Sequence, residues 1–191
     1  MSKNCPYKEI ELEQGSPEWR RWRLEGFGAS DAPVLMGGNP WKSIEELIDE
    51  KRGLCKEPAN ENMRRGTRLE PEARDKYCKK VGFKVNPICL QHKKYSWARA
   101  SLDGISEDRK KVVEIKCGES AYNCAVGGDV PTYYYGQLQH ILFITGLKII
   151  DFWCYLPGRQ GILLKIDRDD PYIEELIEKG EEYKSELSGQ P

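Results

Sequence analysis

The sequence lacks the features that would place the chain in a membrane or outside the cell. No stretch stays apolar over the roughly 20 residues that a bilayer-spanning helix needs, and residues 1–14 are too charged for a secretory signal. The seven cysteines form an odd set without a CxxC pair, which favours reduced thiols over a disulfide framework. We therefore expect a cytoplasmic protein.

Histidine is scarce and the charge is almost balanced. His92 and His140 are the only imidazoles, so ordinary cysteines are the preferred interpretation over a structural zinc site. The net charge of −1 gives no overall attraction to nucleic acid, and a DNA-binding interpretation depends on local clusters. Basic residues concentrate at 20–23 and 64–68, and acidic ones at 167–186. Either basic cluster, taken alone, is typical of a solvated helix face.

The length of 191 residues fits one domain, and no repeat or low-complexity tract divides it. Hydrophobic residues make up 39% and charged residues 32%, as expected of a folded chain. We therefore treat residues 1–191 as a single domain. It has an N-terminal extension over residues 1–14 and an acidic C-terminal helix within residues 168–191.

Capping residues and apolar spacing predict the elements. Helices are predicted after Ser16 up to the glycines at 26 and 28, and over residues 30–36, 43–52, 63–81, 132–145 and 171–187. Strands are predicted over residues 83–90, 97–103, 111–116, 149–155 and 161–166, and a long loop over 117–131. This order predicts an α/β fold with a central mixed β-sheet flanked by helices.

Three charged residues fall in or beside two strands that a short hairpin connects. Asp103 ends one strand, and Glu114 and Lys116 lie two residues apart on the next, so they project from the same face. If the hairpin brings the two carboxylates together, a hard divalent cation such as Mg²⁺ or Mn²⁺ must separate them. Lys116 beside that cation can orient or deprotonate a water. Spacing alone still favours a solvated Glu–Lys pair and a turn aspartate.

Five short motifs occur in one order along the chain. They are WRL leading to GAS at residues 22–30, RGTRLE at 65–70, SLDG at 101–104, EIK at 114–116 and YYGQLQ at 134–139. With them, the sequence resembles the lambda exonuclease and YqaJ-type viral recombinase family of PD-(D/E)xK nucleases over residues 15–167. The resemblance implies a restriction-endonuclease-like core. Leu102 replaces the proline of the superfamily motif, but the aspartate that would bind metal is present.

The resemblance assigns roles to the charged residues of the site. It implies that Asp103 and Glu114 bind metal, with the carbonyl of Ile115 as a third ligand, and that Lys116 activates the attacking water. Glu70 matches an acidic residue that reaches a second metal or its water shell, although an exposed helix charge is the alternative. The implied cofactor is Mg²⁺, replaceable by Mn²⁺, with two ions per site.

The resemblance also assigns residues that contact DNA. Gln137 matches a glutamine near the lysine and the scissile phosphate, with a surface glutamine as the alternative. Arg23, Ser30 and Ser101 match residues that hold a terminal 5′-phosphate, for which the planar fork of arginine is suited. The tryptophans within residues 19–22 could stack on bases, but core packing is the preferred interpretation.

The function implied is a 5′→3′ exonuclease of phage or prophage recombination that acts on double-stranded DNA ends in a bacterial cytoplasm. It would leave 3′ single strands for a single-strand annealing protein and would work as a homotrimeric ring. One alternative is a Cas4-like or restriction-type endonuclease, although the cysteines lack the pattern of an iron–sulfur cluster. Another is a catalytically inactive DNA-binding module, although both carboxylates and the lysine are present.

Overall fold

The computed structural model describes residues 5–55 and 61–187, apart from the side chain of Asn62. The strands in these ranges are β1 Tyr7–Ile10, β2 Val85–His92, β3 Arg99–Ser106, β4 Val112–Lys116, β5 Ile149–Cys154 and β6 Ile162–Asp167. The helices are α1 Pro17–Leu24, α2 Ala32–Leu35, α3 Ile44–Lys51, α4 Glu61–Val81, α5 Glu119–Val126, α6 Thr132–Thr145 and α7 Asp170–Leu187. The predicted extension and acidic tail include residues 1–4 and 188–191, which lie outside the described residues.

The six strands form one sheet in which spatial order follows chain order, from β1 to β6. Neighbours pair antiparallel except β4 and β5, which run parallel because the connection between them crosses over through α5 and α6. This confirms the predicted mixed sheet flanked by helices. None of the helices in the described ranges has the length and apolar content needed to span a bilayer.

Helices cover both faces of the sheet, and each face has its own apolar core. On one face, α6 contributes Leu138 and Ile141 to the larger core, which also includes Val112 of β4. On the other face, Ala73 and Tyr77 of α4 pack in a smaller core that includes residues 113 and 115 of β4. Strand β4 therefore alternates between the two cores, as the period of two predicts.

The predicted helix boundaries have the expected capping contacts. Ser16 accepts the N–H of Trp19 at the start of α1, and Ser43 and Glu46 form a reciprocal capping box before α3. Helix α6 spans the residues predicted for it and ends at Gly146, whose φ of 70° is a left-handed conformation that glycine adopts without strain. These local signals were sufficient because each cap involves residues only a few positions apart.

Three features of the fold differ from the sequence prediction. The predicted loop over 117–131 contains α5, whose residues Ala121, Tyr122 and Ala125 are buried on one side. The predicted extension contains β1, which pairs with β2 through Tyr7↔His92. Strand β3 continues beyond Asp103 to Ser106 instead of ending there. In each case contacts with distant parts of the chain outweigh a weak local pattern.

Candidate active site

The backbone pairing of β3 with β4 gives way to a side-chain hydrogen bond at Asp103. The ladder pairs Gly104 with Val113, and one step further the carboxylate Oδ2 of Asp103 accepts the backbone N–H of Ile115 at 2.8 Å. The Asp103 carboxylate thus accepts a backbone N–H that a carbonyl of the neighbouring strand would accept in a regular ladder. Burial raises the pKa of Asp103, although the Lys116 ammonium acts in the opposite direction. The hairpin therefore places this carboxylate beside the strand that carries Glu114.

Glu114 is a buried carboxylate with one satisfied and one unsatisfied oxygen. Its Oε1 accepts hydrogen bonds from Lys116 Nζ at 2.7 Å and from Gln137 Nε2 at 2.6 Å. Its Oε2 has no hydrogen-bond partner among the described residues, and only 2% of the residue is exposed. Burial, followed by the negative charge of Asp103, raises the pKa of Glu114 to about 8. An orphaned buried oxygen of this kind fits a missing positive ligand.

Lys116 lies on the same face of β4 as Glu114, in the position that the two-residue spacing predicts. Its Nζ also donates to Gln137 Oε1 at 3.2 Å and lies 4.4 Å from the centroid of the Tyr134 ring. Burial lowers the pKa of Lys116, but Glu114, Tyr134 and Asp103 together outweigh it and the net shift is upward. As an ammonium, the lysine can donate hydrogen bonds and stabilise negative charge.

Glu70 reaches the same cluster from α4. It forms an ion pair with Arg74 one turn later, and Arg74 Nε donates to the backbone carbonyl of Asp103 at 2.6 Å. Burial and then the charge of Asp103 raise the pKa of Glu70 to about 7. Arg74 did not figure among the predicted site residues, although its i,i+4 spacing from Glu70 is the signal that could have identified it.

Gln137 owes its position to close packing of α6. A Cβ on the preceding Gly136 would lie 2.6 Å from the Tyr172 hydroxyl and 3.1 Å from the backbone nitrogen of Pro33. Glycine therefore lets α6 approach α2 closely, and the next side chain reaches β4. The Gln137 amide then bridges Glu114 and Lys116 through both of its polar atoms.

The charges of this acidic cluster, defined as Glu70, Asp103, Glu114, Lys116 and Gln137, do not balance. Three carboxylates face two cations, the Lys116 ammonium and the neighbouring Arg74 guanidinium. Burial is the main cause that raises the pKa values of the three carboxyl groups. Such a site fits a hard divalent cation. Among the described residues, no group of three or more His, Cys, Asp or Glu side chains is arranged so that it could hold a metal ion by itself. Asp103 and Glu114 could hold Mg²⁺ only with a carbonyl such as that of Ile115 and waters completing the shell.

A second group, the arginine cluster, consists of Trp19, Arg23, Ser30 and Ser101. Arg23 Nη2 donates to Ser30 Oγ at 2.9 Å, and the guanidinium lies 4.7 Å from the centroid of the Trp19 ring. The indole Nε1 of Trp19 donates to Ser101 Oγ at 2.7 Å. The structure thus joins the three predicted phosphate ligands through Trp19. Trp22, in contrast, is buried in the core, as preferred from the sequence.

A buried ion pair underlies the arginine cluster. Lys51 of α3 pairs with Asp31, and its Nζ also donates to the carbonyl of Arg23 at 3.1 Å. The carboxylate of Asp31 accepts the N–H of Gly28 at 2.7 Å. Burial would raise the pKa of Asp31, but Lys51 and then Arg23 hold it below its usual value. Local pattern could not reveal this pair because its members come from different elements.

Both clusters line one cleft, which has a volume of about 1270 Å³. Every residue that the sequence singled out for metal binding, catalysis or DNA contact lies along it, as do Arg20 and Arg65 from the two basic segments. The cleft therefore combines a buried negative site with cationic side chains.

Comparison with known proteins identifies a family for this chain. The YqaJ-like viral recombinase domain model matches residues 18–148. The chain belongs to this family. The uncharacterized YqaJ protein of Bacillus subtilis (strain 168) is 30% identical to this YqaJ-like chain in an alignment of 188 residues that covers 93% of the chain. The match spans only 59% of the length of that relative.

Solved structures confirm the restriction-endonuclease-like fold. The alkaline exonuclease LHK-Exo from Laribacter hongkongensis matches the YqaJ-like chain with a TM-score of 0.79 and 27% identity, over 91% of this chain and 93% of its own. Its complex with dAMP gives a TM-score of 0.80 at 28% identity, with the same coverage of both chains. A phage-related exonuclease from Haemophilus somnus 129PT shares the fold, with a TM-score of 0.67 at 13% identity over 86% of this chain and 94% of that one. Family and fold together support a nuclease or recombinase function.

Proposed function

We propose that this YqaJ-like domain is a metal-dependent exonuclease that digests linear double-stranded DNA in the 5′→3′ direction and leaves 3′ single strands. One observation carries the proposal: the acidic cluster and the arginine cluster line the same cleft. The first can hold cations near a scissile phosphate, and the second can hold a terminal phosphate. A strand lying in the cleft would meet both.

The acidic cluster supplies the chemistry of phosphodiester hydrolysis. When bound, Mg²⁺ or Mn²⁺, with two ions per site, would supply Lewis acidity and an activated water. Asp103 and Glu114 would hold the metal, and the free Oε2 of Glu114 is available for it. Lys116 donates toward negative charge on the phosphoryl group, and Gln137 keeps both the lysine and the glutamate in place.

The arginine cluster supports the proposal that digestion starts at a 5′ end. The guanidinium of Arg23 is flanked by the Ser30 hydroxyl and the Trp19 ring, so its orientation is fixed before a phosphate arrives. Trp19 donates to Ser101 Oγ, and this hydroxyl also lies 3.8 Å from Cys89 Sγ, a contact in which either group can be the donor. LHK-Exo, the alkaline exonuclease that matches this chain, has been crystallised in complex with dAMP, which supports binding of a nucleotide by this domain.

The proposal extends to the biological setting. The family is described as a viral recombinase, which supports a role in phage-type recombination beside a single-strand annealing protein. A homotrimeric ring around the duplex would make dissociation rare and digestion processive. Light scattering at the working concentration tests the ring, since a monomer that releases products after a few nucleotides contradicts it.

The decisive experiment follows a linear duplex labelled separately at each 5′ and 3′ end. With Mg²⁺ or Mn²⁺ we expect early release of the 5′ label as mononucleotides and persistence of the 3′ label on long single strands. With excess chelator, turnover should be lost because no divalent cation remains. With Ca²⁺, turnover should be greatly reduced because Ca²⁺ coordinates more loosely. A covalently closed circle is the control and should remain intact. Cleavage of the circle would indicate an endonuclease, and binding without cleavage an inactive module.

A further inference from the structure

An exposed tryptophan lies at the cleft, outside both clusters. Trp41 is 71% exposed, whereas Trp22, Trp97 and Trp153 are each buried to 9% exposure or less. The side chain nevertheless lines the same cleft as the acidic cluster. A large aromatic surface left open to water beside a binding cleft is unfavourable unless a ligand covers it.

The backbone presents Trp41 in a fixed way. The side-chain oxygen of Asn39 accepts the N–H of Trp41 at 2.8 Å and that of the next residue at 3.1 Å. Immediately afterwards, the Ser43 capping box begins helix α3. The backbone at Trp41 is therefore held between a side-chain-stabilised turn and a helix start, so little backbone entropy remains to be lost when a ligand binds.

Trp41 begins a series of aromatic rings that leads to the catalytic lysine. Its ring meets that of Tyr133 edge-on at a centroid distance of 4.8 Å, and Tyr133 lies 4.6 Å from Tyr134. The Tyr134 ring in turn lies 4.4 Å from Lys116 Nζ. Tyr133 is further fixed by a hydrogen bond of 2.9 Å between its hydroxyl and Ser120 Oγ. Trp41 stays 71% exposed despite this contact.

We propose that Trp41 is a base-stacking site that takes an unpaired nucleobase of the DNA strand held in the cleft, an inference that rests on the proposed action on DNA. Nucleobases are flat and stack on indole rings regardless of sequence. Arg20, Arg65 and Arg23 line the same cleft and can contact the phosphates of that strand. A base pair inside a duplex is stacked on both faces and cannot use an indole face, so the site favours unpaired bases.

The test measures binding without cleavage, in chelator, to a ten-nucleotide oligothymidylate with a 5′-hydroxyl end. The 5′-hydroxyl excludes the terminal-phosphate contact of Arg23. Trp41→Ala should weaken binding about five- to a hundredfold, the range expected for loss of one base–aromatic stack. Trp41→Phe should retain most of the affinity because it keeps a flat ring. An abasic oligomer of the same length should bind the wild type and Trp41→Ala alike.

Leu54→Ala is the matched control, because Leu54 is 72% exposed but does not line the cleft. It should bind both oligomers as the wild type does. Fluorescence provides a second readout: the oligothymidylate should protect the wild type from iodide quenching and protect Trp41→Phe less. Undiminished oligothymidylate binding by Trp41→Ala would overturn the proposal, as would an equal loss of abasic binding.

A lower oligomeric mass for Trp41→Ala would also overturn it, since Trp41 would then be a subunit contact. Failure of the proposed function can be distinguished from failure of this proposal. A protein that never cleaves labelled duplex with Mg²⁺ can still bind oligothymidylate more tightly with Trp41 than with alanine, because the binding assay contains no metal.

Discussion

In the acidic cluster three carboxylates are crowded around two cations, whereas in the arginine cluster one guanidinium lies against an indole and next to an exposed serine hydroxyl. In the first group, burial and then the charge of Asp103 raise the pKa values of Glu114 and Glu70 to about 8 and about 7. Beside the second, Lys51 and then Arg23 hold the pKa of Asp31 below its usual value. One part of the cleft therefore needs added positive charge, and the other offers positive charge to an anion.

The difference shows how one cleft can position metal and phosphate separately. A cation bound at Glu114 cancels the repulsion among carboxylates, while a terminal phosphate meets a preoriented guanidinium. Substitutions in the acidic cluster should therefore affect the chemical step on every substrate. Substitutions in the arginine cluster should affect only substrates that have a terminal phosphate.

The largest effect is expected from the carboxylates. Asp103→Asn and Glu114→Gln should each reduce cleavage of linear duplex below detection with saturating Mg²⁺, because each removes a charge that holds the metal. Metal binding, measured by calorimetry, should weaken in both variants, while Ser30→Ala serves as a control with unchanged metal affinity. Wild-type cleavage rates in either carboxylate variant would separate the acidic cluster from catalysis.

Lys116→Met should slow the chemical step by roughly 10²–10³-fold, the loss typical of removing one electrostatic stabiliser. The thioether side chain keeps the volume but not the ammonium that Glu114 and Gln137 contact. Single-turnover rates should fall equally for 5′-phosphorylated and 5′-hydroxyl ends, and duplex affinity in Ca²⁺ should stay within a small factor. Unequal slowing of the two ends would show that the lysine also senses the terminal phosphate.

Stability of the metal-free protein should depend on pH through Glu114. Its pKa rises from 4.5 to about 8 on folding, so its stabilising contribution is fully present below pH 4.5 and is lost as the pH rises through 8. At about 1.4 kcal/mol per pKa unit, the free energy of unfolding should fall by a few kcal/mol across this window.

Urea denaturation in chelator at pH 5 and pH 8.5 measures this effect. Glu114→Gln should lose less stability than the wild type between the two pH values, and saturating Mg²⁺ should restore the wild type at pH 8.5. Equal pH dependence of the two proteins would place the uncompensated charge elsewhere.

Arg23→Ala should slow the start of digestion on 5′-phosphorylated ends by about ten- to a hundredfold, because it removes a charge-assisted contact worth about 1.5–3 kcal/mol. Ends with a 5′-hydroxyl should be affected little. Initial rates on both ends with both proteins give the comparison. Equal slowing would make Arg23 a general DNA contact and remove the main support for 5′→3′ polarity.

Local pattern predicted much of the fold, but spacing alone favoured a solvated Glu–Lys pair, and the family resemblance was needed to assign Asp103, Glu114 and Lys116 to the site. Glu114 and Lys116 could be placed on one face because a strand repeats every two residues, and a short hairpin could bring Asp103 near them. Contacts made across the fold were not predictable. Arg74 reaches the carbonyl of Asp103 from α4, and Lys51 reaches the carbonyl of Arg23 from α3. Neither contact produces a periodic pattern in the sequence.

Secondary structure that depends on distant partners was missed for the same reason. Strand β1 has few apolar residues and exists through its pairing with β2. Helix α5 is short, and its small buried face is recognisable only where it packs against β5 and β6. The exposure of Trp41 was equally hidden, since a tryptophan in a sequence is more often part of the core.

The smallest effect is expected from Ser30, and it distinguishes a direct phosphate ligand from a support for Arg23. Ser30 is exposed and its Oγ accepts from the guanidinium of Arg23, so Ser30→Ala leaves no buried group without a partner. The loss of one exposed hydrogen bond should cost about 0.5–1.5 kcal/mol, or roughly two- to tenfold in the initial rate on phosphorylated ends.

Ser101→Ala should cost more on phosphorylated ends, because the indole N–H of Trp19 then loses its acceptor in a half-buried position. The double variant Arg23→Ala/Ser30→Ala decides how Ser30 acts. If Ser30 only orients Arg23, the double variant should be as slow as Arg23→Ala alone, because a support has no effect once its partner is gone. If the two losses multiply instead, the Ser30 hydroxyl contacts the phosphate itself, and the arginine cluster holds the strand end through independent ligands.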